Sequence, residues 1–398
     1  MLILHETRLI IDNHSQSSLY SVETMNLFKT LFKKREARFF LILVLVLTVP
    51  LTVFISQKQQ NLKQKATGNN TTEFGIQIDL NEDTKIPSSA QFAALNPSWI
   101  RFVYRPDKPI HSFSSGRKSI VIFNHESAGG DVPLESTDFN AWKSYFDTSY
   151  FPALRTFVES NPNTSAIEIW NEEDHCSSGV YCPRIPETAY AYLIKNAAHI
   201  IKTQNASIKV IMGGLADGQP GYITNVKNAD PASLSQVDAV GIHPYGKTPD
   251  GWGAEHLPFG ELSDSIILYR AASAPLDIWI TEIGLGLDDS VFQAEYVRRS
   301  FTLASSINVP VVIWYGWIDS MTGGNGSNNW GLYTADSLVM KQSGLAFASF
   351  TSLPNTPTSG IQATPTPSRL DGDIDGDGSV TLTDFTIWKT GYLRYLRI

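Results

Sequence analysis

The sequence predicts an α/β protein built as a (β/α)8 TIM barrel, and three observations carry that prediction. Eight short apolar runs, rich in β-branched and aromatic residues, recur between positions 74 and 314. Near-continuous apolar character is what parallel strands buried on both faces require. Amphipathic stretches separate several of the runs, and eight alternations in about 280 residues fit a closed barrel better than an open doubly wound sheet. No Gly-x-Gly-x-x-Gly follows the first run, which weighs against a dinucleotide-binding sheet.

The expected strands are 74–80, 99–104, 119–123, 166–170, 209–212, 239–243, 277–281 and 310–314, with the clearest helical stretches at 137–160, 186–204 and 289–306. The barrel so defined spans 73–353. The chain has 398 residues, more than one core needs. Residues 1–38 are polar and end in the basic cluster Lys29, Lys33, Lys34, Arg35 and Arg38. Residues 39–55 read FFLILVLVLTVPLTVFI, free of charge and at the short end of a bilayer span. The basic flank places the N-terminus in the cytoplasm, a type II orientation. No clean small-x-small cleavage site follows, so the segment reads as an uncleaved anchor. With Met25 as the start it reads instead as a signal peptide. Either reading carries everything after 56 across a membrane. Residues 56–72 form a polar tether, 354–370 a Pro/Thr-rich linker, and 371–398 a short acidic module.

A net charge of −8 argues against nucleic acid as a partner. Cys176 and Cys182 are the two cysteines, with no clustered His to complete a zinc set. In an exported domain they form a local disulfide, in a cytosolic one two free thiols, and the N-terminal segment favours export.

Barrel active sites sit at the C-terminal ends of the strands, so the residues closing each run are the candidates. Arg101 lies on the second run. Asn124, His125 and Glu126 close the third. Trp170, Asn171, Glu172, Glu173 and Asp174 close the fourth. His243, Pro244 and Tyr245 close the sixth, Thr281, Glu282, Ile283 and Gly284 the seventh, and Trp314, Tyr315, Gly316, Trp317 and Asp319 the eighth. Charged groups, imidazoles and indoles converge on one rim. Two carboxyl groups facing each other there are what glycosidic-bond hydrolysis needs: one donates a proton to the leaving oxygen, the other attacks the anomeric carbon.

IEIWNEE on the fourth run and IWITEIG on the seventh resemble the signature glutamates of clan A, the large retaining clan of barrel glycosidases, and VDAVGIHPYG with WITEIG looks nearest to its family 39-like and family 5-like members. The resemblance implies Glu172 as acid/base and Glu282 as nucleophile, with no catalytic cofactor. It implies Asn171 on the substrate 2-hydroxyl, Arg101 holding the nucleophile ionised, His243 and Tyr245 as the pair beside it, and Trp314 as an indole platform under the sugar. His125 is a substrate contact or a structural histidine in equal measure. Many clan members carry Pro after the Asn-Glu pair. This chain carries Glu173, whose default is solvent exposure, followed by an insert to Arg184 that contains both cysteines.

Residues 373–384 read DIDGDGSVTLTD. Asp373, Asp375, Asp377 and Asp384 take positions 1, 3, 5 and 12 of an EF-hand-like loop, Gly378 the tight turn, and Ser379 offers its carbonyl, a set suited to Ca²⁺. Asp at position 12 after a Pro/Thr linker resembles a dockerin repeat. Dockerins normally carry two such repeats and this module reads as one, so a cohesin-like partner, a calcium-stabilised stub and an attachment module of another kind all stand as readings of it. For the whole chain, an extracytoplasmic retaining glycosidase acting on a poly- or oligosaccharide leads. A non-catalytic carbohydrate-binding or surface-display barrel is the rival. A metal-dependent barrel hydrolase would need a ligand cluster such as His-x-His, which is missing from the strand ends.

Overall fold

The computed structural model describes residues 72–80, 86–108, 117–176, 184–216, 218, 220–252, 259–319 and 329–352. The apolar segment 39–55, the tether, the linker, the calcium loop with Asp373, Asp375, Asp377, Ser379 and Asp384, and Cys182 lie outside them. Among the described residues, no helix is long and apolar enough to cross a membrane. Cys176 is disulfide-bonded.

All eight expected strands form. They are β1 (Glu73–Gln77), β2 (Trp99–Val103), β3 (Lys118–Phe123), β4 (Ala166–Ile169), β5 (Lys209–Leu215), β6 (Ala239–Ile242), β7 (Asp277–Ile283) and β8 (Val311–Trp314). Each pairs in parallel with its sequence neighbours, and β8 returns to β1 with Glu73 opposite Val311, closing the barrel. Between them run α1 (Ser89–Leu95), α2 (His125–Ala128), α3 (Phe139–Tyr145), α4 (Phe151–Ser160), α5 (Glu187–Gln204), α6 (Gly221–Ala229), α7 (Leu262–Ser273) and α8 (Ser290–Ser306), with α9 (Gln342–Thr351) after β8. The stretch read as one helix over 137–160 is α3 and α4 joined by a π-helical turn, Phe146–Tyr150. That turn brings the Tyr150 hydroxyl to the Phe123 carbonyl at 2.5 Å, tying the helical layer to β3.

Alternation along each strand divides the barrel in two. Trp99, Ile120, Ala166, Ile211, Ala239, Trp279, Val311 and Ile313 point inward as a small separate core. Several are the first residues of their strands, so this core is the apolar floor. Their neighbours point outward and join the larger core under the helices. Two residues further along β2, β4, β6 and β7, the next inward positions are Arg101, Glu168, Gly241 and Thr281. Above an apolar floor the barrel interior thus becomes polar, directly below the mouth.

One buried side chain on the outer layer organises the loops above β7 and β8. Gln293 of α8 donates from Nε2 to the carbonyls of Leu285 (2.6 Å) and Asn329 (2.8 Å), and its Oε1 accepts from Ser343 of α9 (2.6 Å). Gln293→Leu keeps the volume but strands two carbonyls and a hydroxyl. Urea unfolding is expected to show a loss of about 2–3 kcal/mol. An unchanged midpoint would show that these bonds are replaced by solvent.

Candidate active site

The rim is built from β4 upward. Trp170 has φ +75° and Glu172 φ +56°, both left-handed. The first turns the Trp170 indole outward against Trp142 and Tyr150, where it is fully buried. The second turns the Glu172 side chain to the mouth, while its N–H is held by the Gly214 carbonyl at 3.0 Å. Left-handed backbone at non-glycine residues costs free energy and persists only where the surroundings enforce it.

Arg101, fully buried, lies across the centre of the site. Its Nε donates to Glu168 at 2.6 Å, its Nη1 to both Gln77 and Glu282, and its Nη2 to Asn171 at 2.7 Å. Nη2 also stands 3.3 Å from Nε2 of His243. A guanidinium has five N–H groups, and five partners surround this one. Because Arg101 can only donate, Nε2 of His243 is the acceptor in the neutral ring, and Nδ1–H is left to donate to Glu172 at 3.2 Å. Burial lowers the His243 pKa, but the carboxylates of Glu282 and Glu172 outweigh it and hold the ring above its ordinary value.

Glu282 accepts from the Tyr245 hydroxyl at 2.6 Å on the oxygen opposite Arg101. Burial alone would raise its pKa. His243 and Arg101, aided by the Tyr245 hydrogen bond, hold it below the ordinary carboxyl value. Burial and the neighbouring Glu282 push the Tyr245 phenol well up, so it stays a donor. One oxygen of Glu172, one of Glu282 and one nitrogen of His243 lie within 4.8 Å of one another, a spacing that a metal ion could also use. The Arg101 guanidinium already supplies the cation on Glu282, so a divalent ion there would face like charge.

Arg101, Asn171, Glu172, His243, Tyr245 and Glu282 thus meet as the sequence suggested. Trp314 does not join them. It is fully buried and points outward from β8 against Tyr296 and Phe301 of α8, and its Nε1 donates to the Trp330 carbonyl at 2.9 Å. Parity explains the correction, since Val311 and Ile313 are the inward residues of β8. The rim aromatic on this side is Trp330, edge-on to Tyr245 (5.4 Å) and Tyr315 (5.9 Å). His125 stands beside Trp170 at the start of α2, and burial lowers its pKa. Glu126 pairs with Arg105 at 3.0 Å, and Asp319 with Lys341 at 3.0 Å.

Glu173 also departs from expectation, being buried rather than exposed. Among the described residues neither carboxyl oxygen has a hydrogen-bond partner. The neighbouring Tyr190 hydroxyl donates instead to the Ile169 carbonyl at 2.8 Å. Burial, with Asp174 and Glu168 adding like charge, pushes the Glu173 pKa well up despite opposing contributions from its own backbone and Tyr190. Two glycines of β5 make room for this arrangement. A Cβ on Gly213 would lie 2.1 Å from a Glu173 oxygen, and one on Gly214 would lie 1.9 Å from Nε2 of His243.

Gly214→Ala is therefore expected to displace His243 and lower turnover by about a hundredfold or more, with the overall fold retained. Wild-type turnover in the variant would show that the ring can move without consequence. Glu173 makes the folded state less favourable as pH rises from about 4.3, the ordinary glutamate value, towards its raised folded value. Glu173→Gln removes that dependence, so its advantage in urea midpoint over the parent is expected to grow between pH 4 and pH 8. An equal difference at both pH values contradicts a raised Glu173 pKa.

No family model matches the chain, and no curated protein matches it in sequence. Solved structures do share its fold. A family 39 glycoside hydrolase from Bacteroides cellulosilyticus WH2 is 23% identical with a TM-score of 0.51, covering 72% of this chain and 64% of its own. A monomeric β-xylosidase from Caulobacter crescentus CB15 is 16% identical, TM-score 0.52, covering 71% and 68%. An endo-β1,6-glucanase is 11% identical, TM-score 0.53, covering 71% and 77%. The chain spans less than two-thirds of the family 39 structure, and at these identities the likeness is one of fold: a closed eight-stranded parallel barrel.

Proposed function

We propose that this chain is a retaining glycoside hydrolase that cleaves a poly- or oligosaccharide by double displacement, with Glu172 as acid/base and Glu282 as nucleophile. The supporting observation is the approach of carboxyl oxygens of Glu172 and Glu282 to within 4.8 Å. Retaining enzymes hold the pair about 5–5.5 Å apart, whereas inverting ones leave about 6.5–9.5 Å for a water. The fold likeness to a family 39 glycoside hydrolase, a β-xylosidase and a glucanase supports glycosidic-bond hydrolysis in general. The apolar segment at 39–55 supports work outside the cytoplasm.

In the first step a Glu282 oxygen attacks the anomeric carbon while Glu172 passes its proton to the glycosidic oxygen. The bond from that oxygen to the anomeric carbon breaks, and an ester to Glu282 forms. In the second step Glu172 takes a proton from water, the hydroxide attacks the same carbon, and Glu282 leaves as carboxylate. Arg101 and Tyr245 hold the two Glu282 oxygens in both steps, so the charge that vanishes and returns there always has fixed donors. Asn171, oriented through its oxygen by Arg101, keeps its amide N–H₂ for a sugar hydroxyl.

Glu282→Ala is expected to lower turnover by about 10⁴-fold or more while sugar binding persists, with azide restoring part of the rate. The first-formed product should retain its anomeric configuration by NMR. An inverted product, or wild-type activity in both Glu172→Ala and Glu282→Ala, refutes the assignment. The carbohydrate-binding barrel without catalysis predicts binding unchanged in both variants and no turnover in the parent.

A further inference from the structure

The proposed chemistry uses two glutamates of the buried cluster and leaves a third without a role. Glu168 is fully buried, on the inward face of β4, four residues before Glu172. One of its oxygens accepts from Arg101 Nε at 2.6 Å and the other from the Thr281 hydroxyl at 2.9 Å. Both oxygens are therefore engaged, and neither faces the mouth as a substrate contact. The site is shaped around them: a Cβ on Gly241 would lie 3.0 Å from the Glu168 oxygen and 2.8 Å from the Thr281 hydroxyl.

We propose that Glu168 is a positioning residue that governs Glu282 through Arg101, by anchoring the guanidinium and by sharing its positive charge. Arg101 meets Glu168 along its Nε edge and Glu282 at Nη1. Held at Nε, the guanidinium plane is fixed, and with it the direction of the bond to Glu282. Charge matters separately. A cation between two carboxylates stabilises each less than it would stabilise one alone, because the second carboxylate opposes part of its field. Glu168 therefore keeps Glu282 from being stabilised as an anion so strongly that it becomes a poor nucleophile. The groups facing Glu282 among the described residues are Arg101 from β2, Glu172 from the end of β4, and His243 and Tyr245 from the end of β6. Glu168 acts on it through Arg101.

This inference rests on Glu282 being the nucleophile, and the test separates the two. In the full chain, a 2-deoxy-2-fluoro glycoside chosen from an aryl glycoside panel should label Glu282 of the parent, read by peptide mass. The Glu282 carboxyl is then titrated by ¹³C NMR of glutamate-labelled protein, assigned through Glu282→Gln. Glu168→Gln keeps the shape and removes the charge: its amide oxygen can still accept from Arg101 Nε, while its N–H₂ donates to the Thr281 hydroxyl instead of accepting from it. Its Glu282 midpoint is expected to fall by about half a pH unit or more, with the acid limb of kcat/KM moving with it and kcat dropping about tenfold. Thr281→Val is expected to shift the midpoint the other way, since Glu168, having lost its hydroxyl donor, competes harder for Arg101. It also serves if Glu168→Gln fails to fold. Labelling at Glu282 with midpoints unmoved in the variants overturns the role of Glu168 alone. Failure to label Glu282 in the parent with any member of the panel overturns the nucleophile assignment and this inference with it.

Discussion

The site is organised around one guanidinium. Arg101 is sealed from solvent and gives its five N–H groups to residues from five parts of the barrel: Gln77 on β1, Glu168 on β4, Asn171 after β4, His243 after β6 and Glu282 on β7. A buried cation is tolerable only when paired and fully hydrogen-bonded. That requirement fixes the relative positions of the partners more tightly than barrel closure does. Moving any one of them leaves an N–H or a carboxylate uncompensated in a dry interior. Ion pairs of this kind contribute little net stability, because desolvation offsets the attraction, but breaking one by removing a single partner costs about 3–5 kcal/mol. Arg101 is therefore a device for specifying geometry.

The layering of the barrel makes such a cation possible. Two tryptophans, Trp99 and Trp279, meet edge to face at 5.3 Å and fill the floor with other apolar residues, closing the interior from below. One turn of the pleat higher, the inward positions turn polar, and each polar atom finds its partner across the barrel. The proposed catalytic pair then stands on top of this layer, at the solvent edge. Glu172 keeps 21% of its side chain exposed and Glu282 7%, so the proposed acid/base meets water more readily than the proposed nucleophile does. In the proposed mechanism, the residue that exchanges protons with water in the second step and the residue that attacks are separated by depth as well as by strand.

The eight strands were legible in the sequence because parallel strands buried on both faces leave an unbroken apolar signature, and all eight runs became strands. The meeting of Arg101, Glu172, His243, Tyr245 and Glu282 was legible for a related reason: each closes or lies on such a run. What escaped was governed by the direction of side chains rather than their place along the chain. Trp314 occupies a strand-8 end but has the outward parity. Glu168 has the inward parity, and a charged residue inside AIEIW was a usable signal, since only a buried partner explains it. Gly213 and Gly214 serve by what they lack, and their need appears only once Glu173 and His243 are placed above them. Trp330 arrives from a loop after β8, beyond the reach of periodicity.

The backbone at the end of β4 has a consequence for how this rim can change. Trp170 and Glu172 are both held left-handed, and Glu173 beside them is buried with its carboxyl pKa pushed well up. All three features work against the folded state, and all three lie within four residues. Substitutions that relax this segment, such as glycine at 172 or an apolar residue at 173, would raise robustness to heat while emptying or loosening the site. Selection for thermal tolerance alone would therefore be drawn to this tetrapeptide first, and only a simultaneous demand for turnover would hold it as it is.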